Sequence, residues 1–308
     1  MTMRKPADFF MIQTMLIICI TWSLQQIFIK LAANDITPIM QASLRNGIAA
    51  LLVGLMIVIK KGWSPSWKGT LKPGIITGII FAGEFLFIAL GLQYTSASHI
   101  AIFLYTGPIF TALGLNFFVA TERLKPLQWI GITICFIGIL TAFGSSLLQN
   151  EIDITSLLGD FFGLLAGLFL GSITVIIRST KLSEAPPTLT LFYQLLIGFI
   201  ILLIIALISG QSAIFHLTPI AISSLIFQGV IVSFISYLIW FWLLRKYVAT
   251  TLTIFTLMTP IFGVGFGVLI LNDKLTTNFI IGAIFILLGI LLVSNEATLS
   301  RFIKRLHK

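Results

Sequence analysis

Ten long apolar runs follow one another along this 308-residue chain and constrain its fold more than any other feature. Apolar residues make up 58% of the sequence and charged residues only 9%, and the mean hydropathy is +1.09. Soluble domains carry about 25% charged residues. Because a helix of about 20 apolar residues matches the thickness of the hydrocarbon core, the sequence predicts an all-α polytopic membrane protein.

The ten predicted transmembrane helices are joined by short connections that leave no room for a soluble domain. They cover residues 9–31, 38–59, 73–92, 97–119, 127–144, 158–178, 188–208, 219–244, 249–271 and 278–294. The first run exceeds the apolar core of a signal peptide, about 7 to 15 residues, so we interpret it as a retained span. The sequence has no Gly-rich lysine loop for nucleotide phosphates, which argues against an ATP-driven pump.

The basic residues predict the orientation of these spans. If both termini are cytoplasmic, 16 of the 19 Lys and Arg residues fall on the cytoplasmic side. Lys30 and Lys274 fall on the opposite side, and Arg45 lies within a span. Because cytoplasmic loops carry the excess of Lys and Arg, the sequence predicts that both termini are cytoplasmic. The net charge of +9 is therefore a topology signal, and no nucleic-acid partner is expected.

A proline-centred stretch occurs twice. Residues 104–114 and residues 257–267 share the order of Thr, Pro, Ile, Phe and Gly, so that Pro108 aligns with Pro260. Proline has no N–H and displaces the carbonyl four residues earlier, so each copy is expected to bend its helix. Gly107 and Gly263 lie beside the two prolines, and these four residues are candidates for helix bending and gating.

The duplication extends over the whole chain. Further matches pair Ala97 with Ala249, Gly131 with Gly282 and Gly138 with Gly289. The sequence therefore predicts two five-span repeats, residues 1–148 and residues 149–308, the second ending in a short basic tail. Because five is odd, the second repeat must be inverted relative to the first. Inverted repeats are typical of secondary transporters, whose substrate site lies near the membrane midplane between the halves.

Four features of the sequence occur together in an order that is typical of one family of transporters. They are Arg45 in the second span, the stretch 94–108, Glu122-Arg-Leu and the glycines of the fifth span. In this combination the chain resembles EamA-type members of the drug/metabolite transporter (DMT) superfamily over nearly its whole length. Asp273-Lys-Leu replaces Glu-Arg-Leu in the second repeat, a conservative departure. The resemblance implies a secondary carrier of small organic metabolites, often an exporter, in the bacterial cytoplasmic (inner) membrane.

Two ionisable residues lie within predicted spans, where they are costly and usually mark a transport pathway. Arg45 and Glu84 lie seven and eight residues from the exterior ends of their spans, roughly 10 to 12 Å deep at 1.5 Å per residue. A zwitterion would suit the pair, and Glu84 is a candidate carrier of a coupling proton. Alternatively, Arg45 extends its side chain to the outer headgroups, and Glu84 is a structural acid bonded to a neighbouring helix.

Polar and aromatic residues at similar depth complete the predicted substrate cavity. They are Trp22, Gln26, Tyr105, Thr106, Gln228, Tyr237 and Thr256. For each of them a structural role competes with this interpretation. Ser and Thr hydroxyls bond back to helix carbonyls, and aromatic residues near span ends are common interfacial anchors.

The glycines and two acids have structural interpretations. Gly163, Gly167 and Gly171 repeat every four residues, which predicts a close helix approach on one face. The glycines spaced by seven in the fifth and tenth spans predict packing between the halves or a dimer contact. Glu122 and Asp273 are expected to cap the helices that follow them.

The sequence therefore predicts a secondary transporter that works by alternating access. We expect a carrier or exporter of amino acids or related metabolites, driven by protons or by the substrate's own gradient. The alternatives are a broad-specificity drug efflux carrier and, in another class, an intramembrane enzyme. The enzyme is disfavoured because the chain lacks His-Glu-x-x-His and paired intramembrane aspartates. Cys19 and Cys135 define neither a disulfide framework nor a metal site. No metal, cofactor or ATP is expected, and the chain is a monomer or a homodimer.

Overall fold

The computed structural model describes residues 8–59, 69–119, 123–148, 154–247, 252 and 255–294. In these ranges the regular structure is helical, apart from isolated bridge residues such as the antiparallel pair Ile36 and Phe215. The first-half helices are α1 (Phe9–Leu31), α2 (Pro38–Ile59), α3 (Leu71–Tyr94), α4 (Ala97–Leu104), α5 (Gly107–Phe118) and α6 (Pro126–Leu148).

The helices of the second half are more often interrupted. Its helices are α7 (Ile154–Ser179), α8 (Pro187–Ile208), α9 (Pro219–Ile226), a π-helix (Phe227–Ser236), α10 (Tyr237–Lys246), α11 (Met258–Leu271) and α12 (Thr277–Ser294). A 3-10 turn (Lys181–Ser183) connects α7 to α8.

Eight helical segments of the described residues are long and apolar enough to cross a membrane, with α4 and α5 counted as one segment and the helices from Pro219 to Leu243 as another. Two shorter apolar helices, Pro126–Ala142 and Met258–Leu271, lie at the predicted fifth and ninth spans. Large apolar side chains such as Leu140 and Leu269 are more than 70% exposed, as expected of lipid-facing positions. The predicted polytopic all-helical architecture is confirmed.

The fourth span is broken before its proline rather than bent at it. Helix α4 ends at Leu104, and α5 begins at Gly107, which places Pro108 in the first turn of α5. The first four N–H groups of a helix have no intrahelical acceptor, so proline costs little there. Pro260 lies in the first turn of α11 for the same reason. The expected bend is therefore a helix boundary.

Helix α7 packs closely against this break. A Cβ atom at Gly167 would lie 2.8 Å from the Phe103 carbonyl oxygen and 3.1 Å from that of Leu104, and one at Gly171 would lie 2.7 Å from the Gly107 carbonyl oxygen. Only glycine leaves room for this contact. The predicted close approach along the glycines of α7 is confirmed.

The glycines spaced by seven face each other within the chain. A Cβ atom at Gly131 would lie 2.8 Å from the Gly289 carbonyl oxygen, and one at Gly138 would lie 2.7 Å from the Gly282 carbonyl oxygen. Helices α6 and α12 therefore pack backbone to backbone. Of the two alternatives for these glycines, the structure favours packing between the halves.

Most of the remaining packing also joins the first half to the second. Helix α3 packs against α7 and α8, α2 packs against α8 and the π-helix, and α1 packs against α11 and the π-helix. The space enclosed by these contacts is where a ligand can enter between the halves.

Candidate functional site

A cavity of about 800 Å³ lies between the two halves. Its deep end is formed by α1, α3 and α10 around Trp22, Gln26 and Glu84. Its mouth lies where the exposed residues Arg123 and Lys125 approach the ends of α6 and α12. The cavity thus runs from the middle of the helices to one basic surface.

Aromatic side chains form one wall of the deep end. The Trp22 ring lies edge to face with Tyr237 and Trp240, with centroid separations of 6.0 and 5.6 Å. The indole Nε1 of Trp22 donates a hydrogen bond to the Ser236 hydroxyl at 2.8 Å, which fixes the orientation of the ring. Edge-to-face pairs are favourable beyond the area that they bury, so this wall presents a rigid apolar surface with polar edges.

Glu84 is the acidic residue of α3 at this wall. Its side chain is 5% exposed, and its Oε2 atom has no hydrogen-bond partner among the described residues. A buried carboxylate oxygen without a partner is costly, and in a cavity it can be satisfied by water, a proton or a ligand. The Glu84 carboxylate is therefore the chemically distinctive group of the cavity.

Arg45 lies behind the cavity wall. It is fully buried and does not line the cavity, because its guanidinium stacks on the Phe85 ring with Cζ 3.8 Å from the centroid. The Nε atom donates to the Asn46 amide oxygen at 3.1 Å. Its two Nη atoms have no hydrogen-bond partner among the described residues, although the Glu84 carboxylate is near enough to attract the positive charge. Arg45 thus acts on Glu84 through space, from outside the cavity.

The predicted site residues fall into two groups in this conformation. Those that line the cavity are Trp22, Gln26, Glu84, Tyr105, Gly107, Pro108, Tyr237 and Thr256. Those that do not line it are Arg45, Thr106, Gln228, Pro260 and Gly263.

The residues outside the cavity have local partners that explain their position. The Thr106 hydroxyl donates to the Phe103 carbonyl at 2.6 Å, and the Gln228 amide donates to Gln41 and Ser224 in a buried polar cluster. Gly263 faces Ala101, where α11 meets α4. Helix spacing predicts the depth of these residues but not the face that tertiary packing turns inward.

Several cavity residues were missed from the sequence. Gln194 of α8 and Gln25 of α1 bring further amide groups to the cavity. When the two halves of the sequence are aligned on Pro38 and Pro187, Gln194 matches Arg45, and that correspondence could have identified it. Gln128, beside the mouth, has no comparable signal.

The end of the cavity opposite its mouth is closed by α4 and by polar contacts around it. Asp273 does not cap its own following helix as expected; its carboxylate accepts hydrogen bonds from the backbone N–H and the hydroxyl of Ser98, at 2.9 and 2.7 Å. The fully buried Asp160, also missed from the sequence, lies 2.8 Å from the His99 imidazole. An acid inside an apolar run is the signal that singled out Glu84 and could have identified Asp160. Glu122 lies outside the described residues.

Metal binding has no support in the described part of the chain, where no group of three or more His, Cys, Asp or Glu side chains is arranged to hold an ion. The cavity lining presents carboxylate, amide, hydroxyl and aromatic groups.

Comparison with known proteins shows similarity to one family along both halves. The profile of the EamA-like transporter family matches residues 9–144 and residues 157–295. The uncharacterized transporter YoaV of Bacillus subtilis (strain 168) is 27% identical over 295 residues, which cover 94% of this chain and 99% of that protein.

Two further relatives are each named as a probable amino-acid metabolite efflux pump. The protein from Escherichia coli (strain K12) is 25% identical over 283 residues, and that from Salmonella typhimurium (strain LT2) is 24% identical over 286 residues. In both cases the match covers 89% of this chain and 91% of the relative. A solved crystal structure with 14% identity superposes with a TM-score of 0.62, covering 92% of this chain and 94% of the other. That likeness concerns the fold.

Proposed function

Because this chain belongs to the EamA-like transporter family of the DMT superfamily, we propose that it is a secondary transporter that moves small zwitterionic metabolites by alternating access. The chain is an integral protein of the bacterial inner membrane. The observation that carries the proposal is Glu84, a buried carboxylate in a cavity between the two halves that has an aromatic wall. One oxygen of this carboxylate has no hydrogen-bond partner among the described residues.

The pattern of helix contacts supports two inverted repeats of five spans. Packing of α3 on α7 has its counterpart in packing of the π-helix on α1, and packing of α4 and α5 on α7 has its counterpart in packing of α11 on α1. The remaining large contacts, α2 with α8 and α6 with α12, join equivalent spans and so lie on the pseudo-two-fold axis. This is the arrangement in which each half can rock against the other.

The basic residues at the mouth support the proposal that the cavity opens to the cytoplasm. Arg123 and Lys125 belong to the side that carries the excess of basic residues, which faces the cytoplasm together with both termini. The closed end around α4 then faces the exterior. In this conformation the protein accepts a substrate from the cytoplasm.

The charges along the cavity favour a zwitterion over a cationic drug. The Glu84 carboxylate offers a partner for an ammonium group, and the surrounding aromatic rings accept an apolar side chain. Arg123 and Lys125 at the mouth repel cations and attract a carboxylate. Two relatives named for amino-acid metabolites fit the same substrate class.

The proposal is tested by flux in proteoliposomes that contain the wild type, Glu84→Gln or Glu184→Gln. Glu184 is an exposed acid that does not line the cavity, and it provides the matched control. Flux of amino acids through Glu84→Gln is expected to fall more than about tenfold, because one interaction with a charged group contributes about 1.5–3 kcal/mol. Glu184→Gln is expected to retain wild-type flux.

The same assay separates the alternatives. Unchanged flux in Glu84→Gln would remove the carboxylate from the mechanism. Transport of cationic dyes without transport of amino acids would favour drug efflux. The absence of flux for amino acids, nucleosides and dyes would favour a function other than transport.

A further inference from the structure

Helix α4 separates the cavity from the opposite surface of the protein. All eight of its residues, Ala97–Leu104, are buried. Its last residue, Leu104, and the following Tyr105 line the cavity, whereas its first residues face away from it. At 1.5 Å per residue this plug is roughly 12 Å thick. A substrate can leave on that side only if the contacts around α4 open.

One carboxylate of the second half holds the first turn of this plug. The Asp273 Oδ2 atom accepts hydrogen bonds from the backbone N–H of Ser98 at 2.9 Å and from its hydroxyl at 2.7 Å. The carboxylate is placed where the helix dipole favours an anion, and both bonds are charge-assisted. A Cβ atom at Gly267 would collide with both partners, so glycine is required for this approach of α11 to α4.

A second carboxylate of the same half holds the neighbouring residues. The fully buried Asp160 accepts a hydrogen bond from the Thr95 hydroxyl at 2.7 Å through Oδ1, and the same atom lies 2.8 Å from Nδ1 of His99. The His99 ring stacks on Phe279 of α12 with a centroid separation of 3.8 Å and an interplanar angle of 1°. Lys30 donates to the Thr95 carbonyl at 2.6 Å.

These carboxylate contacts have the energetics of a reversible seal. Each joins the first half to the second, so separation of the halves at this end must break it. Removing the fully buried Asp160 and the half-buried Asp273 from water costs desolvation free energy, which their hydrogen bonds offset in part. The Oδ2 atom of Asp160 has no hydrogen-bond partner among the described residues, and on opening, water solvates both carboxylates again. An apolar seal would instead expose its whole surface to water at about 25 cal/mol per Å². The acids therefore allow tight closure with a small net free-energy difference between states.

We propose that Asp273 and Asp160 are positioning residues of the transport cycle, which latch the α4 plug shut and release it when the exterior side opens. The inference rests on the proposed alternating-access function and identifies the groups that control one of its two gates. The latch acts on the equilibrium between conformations and does not contact the substrate.

The latch is tested by measuring the distance between spin labels at Gln93→Cys and Lys274→Cys in lipid nanodiscs by double electron–electron resonance. Both positions are exposed beside the latch, whereas the native Cys19 and Cys135 are buried. Asp273→Ala is expected to raise the ratio of the long to the short distance roughly tenfold, which corresponds to about 1.4 kcal/mol. Asp273→Asn and Asp160→Asn, which keep the side-chain shape, are expected to raise it severalfold.

Comparison of Ser98→Ala with Ser96→Ala is the most specific test of the latch. The Ser98 hydroxyl bonds across the halves, whereas the Ser96 hydroxyl accepts from the His99 N–H at 3.1 Å and so caps α4 within the first half. Both substitutions remove one hydroxyl from the same turn, but only Ser98→Ala is expected to shift the distance distribution. If the substitutions only weakened α4 in general, the distance distributions of both variants would shift equally.

The possible results separate the latch from the proposed function. Asp273→Ala and Ser98→Ala distributions that match the Ser96→Ala distribution would overturn the latch, even if transport is normal. A single exterior distance in the wild type and in every latch variant would also overturn it. An absence of flux in the proteoliposome assay would overturn the proposed function, and a shift specific to Asp273 and Ser98 would still establish these contacts as an exterior closure.

Discussion

The positions of Glu84 and Arg45 along their helices predict the depth of each residue in the membrane but not the surroundings of its side chain. Their predicted depths are similar because helical rise depends only on residue count. Their surroundings differ because Phe85 stacks on the Arg45 guanidinium and occupies the wall between that group and the cavity. The carboxylate faces the cavity, and the cation stays behind it as a fixed positive charge.

At the residue scale we predict that Glu84 carries the coupling proton. Wild-type flux is expected to depend on the pH of the compartment to which the cavity opens, because a carboxylate must gain and lose a proton to couple. Glu84→Gln cannot titrate and is expected to give a flat pH profile for any residual flux. Initial rates at several pH values, with and without a pH gradient, provide the measurement.

Glu184→Gln is again the matched control and is expected to keep the wild-type profile. If Glu84→Gln retains the full pH dependence, another group carries the proton or the flux follows the substrate gradient alone.

At the scale of elements, the broken fourth span depends on the glycines of α7. Carbonyl groups at the break lie against Gly167, which has no side chain to hold the helices apart. In lipid an uncovered carbonyl has no water to bond with, so the break is tolerated only because protein packs over it. The helix boundary and the small-residue face of α7 are thus two parts of one contact.

Gly167→Ala is predicted to lower the stability of the protein, because its Cβ would lie within 3 Å of the Thr106 hydroxyl and the Phe103 carbonyl. Overpacking of this kind costs about 1–3 kcal/mol. Gly265→Ala is the matched control, because a Cβ atom there would meet nothing within 4 Å. That change is expected to be neutral or stabilising, since Ala favours helix by up to about 1 kcal/mol over Gly.

Thermal unfolding of both variants in detergent gives the comparison. Equal melting temperatures for Gly167→Ala and the wild type would show that the contact between α7 and the break is loose.

At the scale of the whole molecule, the proposed orientation places the basic mouth and the α4 plug on opposite sides of the membrane. A membrane-impermeant maleimide is predicted to label Lys274→Cys in intact spheroplasts and to label Lys181→Cys only after the membrane is disrupted. Both positions are exposed, so a difference in labelling reports sidedness. Labelling of Lys181→Cys from outside would reverse the orientation and make the cavity open to the exterior.

The sequence by itself determined which segments of the chain form apolar helices. Apolar length defines a span because lipid requires backbone hydrogen bonds to close within the helix. The glycines spaced by seven predict a close contact of the fifth and tenth spans, either between the halves or in a dimer. The depth of Glu84 and the all-helical fold follow from such local rules.

Only the tertiary structure decided which polar groups meet. Asp273 caps Ser98 of the other half, and Asp160 reaches His99 across 61 positions of the chain. The π-helix before Tyr237 has no sequence signature of its own. In a chain that is apolar on every face, the side of a helix that turns inward is set by close packing between helices, and a single sequence does not encode that packing locally.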